Sequence, residues 1–180
     1  VVYMLDTVTG DKQTITHTDS GDLTIRSWSP DGNKFILSAE PNTKGFEQGA
    51  LWIVDVNDGS KNFFQSNDMI LVWGPTQNQF TFSRTNKLNS EKEYTEVIVL
   101  DLTSGEETKI YAVDRSFLVF GLSWSPSREQ LALSMSRIGH DDANIYILNV
   151  NSGQLRQITK DGNSIYPVWS PTRDLIVYDK

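Results

Sequence analysis

Few side chains in this sequence stand where they could carry out a reaction. Ser123 lies in Gly121-Leu122-Ser123-Trp124-Ser125, one residue away from the Gly-x-Ser-x-Gly pattern that raises a nucleophilic serine on a sharp turn. Here the run leads into an apolar, strand-like segment, and a serine nucleophile also needs a His base and an acid. His140-Asp141-Asp142 has metal-ligating side chains, but a single His in a polar stretch is more simply explained as solvated. Asp55-Val56-Asn57-Asp58-Gly59 offers oxygen ligands, yet it lacks the Gly at position six and the Glu at position twelve of a calcium loop. Glu40 or Glu47 with Asp141 would supply a carboxylate pair for glycoside chemistry only if the fold brought them together. The chain has no Cys, which excludes thiol catalysis, disulfides and Cys-type zinc sites. No catalytic, cofactor-binding or metal-binding residue is assigned, and the chain is expected not to be an enzyme.

Composition narrows the classes further. Apolar residues make up 38% of the 180 and charged residues 22%, too hydrophobic and too mixed for a disordered chain. No run approaches the roughly 18 apolar residues of a membrane-spanning helix. A net charge of −7 argues against a general nucleic-acid binder, which needs a basic footprint.

The elements that position these residues come from an internal repeat. Trp28-Ser29-Pro30, Trp73-Gly74-Pro75, Trp124-Ser125-Pro126 and Trp169-Ser170-Pro171 recur at spacings of 45, 51 and 45 residues. A second anchor keeps the same phase: Asp6, Asp55, Asp101 and Asn149 each end an apolar run and are followed four residues later by Gly10, Gly59, Gly105 and Gly153. A third falls five residues after the Pro, at Phe35, Phe80 and Leu131. In the last copy Leu175 stands four residues after the Pro, so that copy is read as one residue short. Each unit resolves into four short strands rich in β-branched and aromatic residues, as in Leu23–Trp28, 34–38, 51–56 and 60–65. Ser29-Pro30-Asp31-Gly32 is a tight-turn signature, and the Gly of Asn57-Asp58-Gly59 suits a left-handed hairpin position. Units of this length with four strands match the blades of a β-propeller, so the fold class is all-β. The fixed phase of the repeat Trp residues makes them packing residues between blades; Trp52, off that phase in an apolar strand, is read as core.

Trp28-Ser29-Pro30-Asp31-Gly32 followed by Leu51-Trp52-Ile53-Val54-Asp55-Val56-Asn57-Asp58-Gly59 resembles the TolB-type, WD-like propeller repeat, and 145–159 is similar to it again. The second and third copies depart from it, with Gly74 for Ser and with Thr76-Gln77 and Ser127-Arg128 for Asp-Gly, which is expected to loosen those turns. The resemblance covers essentially the whole chain. It implies a non-catalytic protein-binding scaffold in a bacterial envelope or periplasmic setting. It equally fits the substrate-gating propeller of a prolyl-oligopeptidase-like enzyme whose hydrolase lies elsewhere, and, third, a carbohydrate-active propeller.

Blades are expected over 23–66, 69–111 and 118–160, with a composite blade from 164–180 plus 1–17 that closes a four-bladed ring. The same phase fits a segment of a larger propeller, or two copies pairing as a homodimer. Both termini fall in strand-like runs, as expected of a piece of a longer sequence. The Trp-Ser-Pro and Gly turns are short and uniform, whereas the connections over 39–50, 84–96 and 135–144 differ in every blade. Together with 16–22, 65–68, 112–116 and 160–163 these make a variable face, where binding concentrates on a rigid scaffold. The residues placed there are Lys44, Phe46, Glu47, Arg84, Lys87, Arg115, Arg137, His140, Asp141 and Asp142. A protein or peptide is the expected partner, with Phe46 the exposed anchor, and neither nucleic acid nor membrane insertion is expected.

Overall fold

The computed structural model describes residues 1–16, 23–39, 50–65, 70–89, 92–114 and 116–180. Among them there are strands and turns but no helix. The chain divides into two compact units, Val1–Met69 and Ile70–Lys180.

In the first unit, β1 (Val2–Leu5) and β2 (Lys12–Thr16) form a two-stranded antiparallel sheet. A four-stranded blade follows, made of β3 (Leu23–Trp28), β4 (Lys34–Ala39), β5 (Ala50–Asp55) and β6 (Lys61–Gln65) in sequential order. Val2 packs on Phe35, Leu37 and Val54 to give this unit its core. Trp52 borders that core and meets Phe63 at 5.8 Å, as its apolar strand predicts.

The second unit holds two more blades. One comprises β7 (Leu71–Trp73), β8 (Gln79–Asn89), β9 (Lys92–Asp101) and β10 (Glu107–Ala112). The other comprises β11 (Phe117–Trp124), β12 (Gln130–Arg137), β13 (Asn144–Asn149) and β14 (Leu155–Gln157). The pair β15 (Ile165–Trp169) and β16 (Ile176–Asp179) completes the unit. Val97 and Val99 of one blade pack against Leu131, Leu133 and Leu148 of the next. On the opposite face of that blade, Ala132 and Ile147 receive Trp169. The expected all-β, four-stranded blade architecture is therefore present.

The turn chemistry explains why the repeat keeps its frame. The amide of each turn Gly donates to the carbonyl of the Asp or Asn four residues before it, at 2.8–2.9 Å in all four copies. Gly10, Gly59, Gly105 and Gly153 take φ values between +69° and +80°, a region open to Gly at little cost. Ser127-Arg128 does not loosen its turn, contrary to expectation. The Arg128 amide donates to the Ser125 carbonyl at 3.0 Å, just as Gly32 donates to Ser29 at 2.9 Å. Arg128 instead accepts the left-handed conformation, with φ of +62°. Gly74 is small for a different reason: a Cβ there would stand 2.7 Å from the Cβ of Gln79.

Two further expectations are corrected. Across the first and second strands, Trp28 pairs with Phe35, Trp73 with Phe80, Trp124 with Leu131 and Trp169 with Ile176. Ile176, not Leu175, holds the third anchor, so the last copy is of full length; two adjacent apolar residues conceal which one the strand pairing selects. Among the repeat Trp residues, Trp73, Trp124 and Trp169 are buried, but Trp28 is 52% exposed. A Trp that packs between blades is covered only where the neighbouring face reaches it.

Two stability predictions follow from these contacts. Arg128→Gly relieves the left-handed strain, partly offset by a more flexible unfolded chain, and should raise stability by up to about 1 kcal/mol in urea unfolding. Trp124 Nε1 donates to Thr81 Oγ1 at 2.9 Å within the core. Thr81→Val keeps the shape but removes the acceptor, so a loss of about 1–3 kcal/mol should appear in the same measurement.

Candidate functional site

The described part of the variable face is best defined at the end of the β11–β14 blade. Arg137 closes β12, and Gly139, with φ of +79°, lets the chain turn so that the His140 amide donates to the Arg137 carbonyl at 3.0 Å. Ser136 Oγ donates to the His140 carbonyl at 2.6 Å and fixes the turn from below. The connection beyond β14 is tied to this loop. Asn144 Oδ1 accepts from Thr159 Oγ1 at 3.3 Å and from the Gly162 amide at 3.1 Å, and the Ser164 amide donates to the Ala143 carbonyl at 2.9 Å. Asp161, bonded to Lys180 at 2.9 Å and to Ser164 Oγ at 2.7 Å, has its carboxyl pulled down to about 2, chiefly by Lys180.

Arg137, His140, Asp141 and Asp142 are all exposed on this platform. The Arg137 guanidinium lies 5.9 Å from the centre of the Phe117 ring, which meets Tyr146 edge-on at 6.2 Å. Burial pushes the Tyr146 hydroxyl above its ordinary range; Arg137 opposes that shift and Asp142 adds to it. Phe117 and Tyr146 were missed by sequence reasoning because both sit within strands. Their only signal was an aromatic residue at each strand end nearest the variable loops.

Arg84 is placed differently from expectation. Residues 84–89 and 92–96 continue two strands, with Arg84 opposite Glu96, Thr85 opposite Thr95, Asn86 opposite Tyr94 and Lys87 opposite Glu93. Facing threonines and opposite charges favour such pairing. Arg84 reaches across to Glu107 on β10 through a two-pronged ion pair of 2.7 and 2.8 Å, and this partner holds the Glu107 carboxyl below its ordinary value. Glu96 in turn takes Asn86 at 3.0 Å and Lys109 at 3.1 Å. Lys44, Phe46, Glu47 and Arg115, like Glu40, lie outside the described residues, as does the side chain of Lys87.

Ser123, Asp55 and Asp58, weighed for chemistry, have structural duties. Ser123 Oγ accepts the Trp169 amide at 2.8 Å, clipping β15 onto β11. Asp55 Oδ1 accepts the Asn57 amide at 2.9 Å, and Asp58 Oδ1 the Ser60 amide at 2.8 Å, so both carboxylates cap the hairpin turn. Among the described residues no three His, Asp or Glu side chains converge as a metal-binding group.

This geometry defines the class: four-stranded antiparallel blades of the β-propeller kind. No protein-family model matches the chain, and no curated protein does. Among solved structures it is similar to TolB from Acinetobacter baumannii at 16% identity, over 98% of this chain and 42% of that one, with a TM-score of 0.68. It is also similar to oligogalacturonate lyase from Vibrio parahaemolyticus (14% identity, 93% and 48% coverage, TM-score 0.58) and to acylaminoacyl peptidase from Pyrococcus horikoshii (16%, 92% and 30%, 0.60). The chain spans less than half the length of these proteins, and at such identities the likeness establishes the propeller fold alone.

The turn carboxylates yield a pH prediction. Asp101 accepts the amides of Thr103 and Ser104 at 2.9 Å each, and the Ser104 and then the Thr103 bond hold its carboxyl below 3.8. A depressed value means that the stabilisation is complete above the unfolded-state value and is lost as pH falls through the folded one. Asn149 makes the equivalent bond to Ser152 at 2.9 Å without a charge. Asp101→Asn should therefore unfold like the parent at neutral pH and lose less stability than the parent below about pH 4, read by thermal melts across pH.

Proposed function

We propose that this chain is a non-catalytic, protein-binding propeller scaffold whose partner docks on the variable face. The observation that carries this reading is the platform at the end of the β11–β14 blade. Two successive connections are locked together through Asn144, Thr159 and Ser164, and they present Arg137, His140, Asp141 and Asp142 to solvent beside Phe117. Charged groups of both signs around a half-buried aromatic, held on a rigid frame, suit a polar protein surface or an extended peptide. Arg84, Arg115, Phe46 and Glu47 belong to the same face in this reading. A bacterial envelope setting comes with it through the TolB-like fold.

Fold likeness to peptidase propellers supports a second reading, in which the ring gates peptides entering a hydrolase elsewhere in a longer protein. The two readings differ in what the chain retains. A scaffold holds a folded partner stably, whereas a gate holds short peptides only in transit.

Capture from bacterial envelope extracts on the immobilised chain tests the proposal. A retained protein should be lost with Arg137→Ala combined with Asp141→Ala, and again with Phe46→Ala. Glu106→Ala, on a uniform Gly turn, should leave capture unchanged. Equal capture by all of these variants would remove the variable face from the binding reaction.

A further inference from the structure

The corner where Arg137, Phe117 and Tyr146 meet holds two polar groups that the fold does not use. Phe117 stands opposite Arg137 across β11 and β12, and Tyr146 stands opposite Leu133 across β12 and β13. Side chains alternate along a strand, so Leu131, Leu133, Met135 and Arg137 share one face of the sheet with Phe117 and Tyr146. The first three are buried, and the two aromatic residues pack against them. Arg137 is next in that row and is exposed. A hydrophobic row thus ends in a guanidinium beside an aromatic ring.

The Arg84 guanidinium is taken by Glu107 in a two-pronged ion pair, whereas among the described residues no carboxylate pairs with that of Arg137. Nor does the Tyr146 hydroxyl have a hydrogen-bond partner among them. Burial raises the pKa of that hydroxyl, and the charges of Arg137 and Asp142 both reach it, with opposite effects. The guanidinium and the hydroxyl are therefore close enough to serve one ligand group. Two unused donors beside an apolar ring fit a carboxylate. The guanidinium offers a planar fork to both oxygens, the hydroxyl donates to one of them, and the Phe117 ring takes the apolar stem.

The main chain narrows the source of that carboxylate. A chain terminus is captured by a nest of free amides, but the amides around this corner are occupied. Ile138 donates to the Ser116 carbonyl, His140 to Arg137, Ser164 to Ala143, and Gly162 to the Asn144 side chain. Asp142 repels a doubly charged phosphate more than a singly charged carboxylate. We propose that Arg137 and Tyr146 form a subsite for an aspartate or glutamate side chain of the protein partner, with Phe117 as its floor. This rests on the scaffold reading and deepens it, by naming the group that the partner brings to the β11–β14 platform.

The probe is N-acetyl-glutamate N-methylamide, a blocked single residue. Titrated into the isotope-labelled chain, it should shift the Arg137 side-chain resonance and the Gly139 and His140 amides in NMR spectra. The glutamine counterpart, equal in shape but uncharged, should bind about tenfold more weakly. Arg137→Gln should abolish the preference for glutamate. Tyr146→Phe keeps the ring and its packing, which a thermal melt close to the parent's would show, and should weaken glutamate binding about fivefold or more. Asp142→Asn removes a like charge and should tighten it. Equal affinity for the two probes, no shifts at all, or unchanged glutamate binding by Tyr146→Phe would overturn the subsite. Tighter binding of N-acetyl-alanine, with its chain-terminal carboxylate, or of blocked phosphoserine would overturn the side-chain assignment. If envelope extracts yield a retained protein but blocked glutamate neither binds nor competes, the scaffold stands and this subsite fails. Glutamate binding with no protein retained would have the opposite meaning.

Discussion

Everything in this architecture depends on the second strand of each blade being buried on both faces. Leu131 and Leu133 point into one core and Ala132 into another, all without exposed surface. A sheet of this kind cannot stand alone, since either face left open returns apolar surface to water at about 25 cal/mol per Å². Within the second unit the blades therefore stack, and the Trp of a following strand pair lands on the second strand of the blade before it. Trp124 finds an acceptor there in Thr81. Trp169 lands on Ala132, the equivalent position, and its buried Nε1 has no hydrogen-bond partner. Thr81 thus supplies a hydroxyl and a methyl where Ala132 has neither, and the second contact relies on packing alone.

The same arrangement separates structural from variable chemistry. The short turns occupy many of the carboxylates: Asp6, Asp31, Asp55, Asp58 and Asp101 all accept amide hydrogen bonds within their own turns and are held below ordinary carboxylate values, Asp31 chiefly by the Ser29 hydroxyl, Asp58 chiefly by the Ser60 hydroxyl, and the others chiefly by the amides. What looked like a possible calcium loop at Asp55 and Asp58 is turn capping. On the longer connection after β12, Arg137, His140, Asp141 and Asp142 remain exposed.

Some apolar residues of the two-stranded sheets and of β3 stay exposed. Val177, Tyr178, Leu5 and Trp28 have the character of core residues and the exposure of surface residues.

The sequence by itself determined the blade. Its signals are local: Pro presetting a turn, Gly accepting a positive φ, and an Asp or Asn side chain bonding amides two or three residues ahead. Each closes within about five residues, and four in-phase copies made the pattern legible. Tertiary structure alone decided the rest. Ile176 rather than Leu175 pairs with Trp169 because strand register is set across the sheet. Residues 84–89 and 92–96 became strand because each run found a partner in the other, and Arg84 found Glu107 two strands away. Arg137, Phe117 and Tyr146 meet only because three strands end at one corner. Such contacts join residues tens of positions apart, and their energies depend on neighbours that no local pattern names.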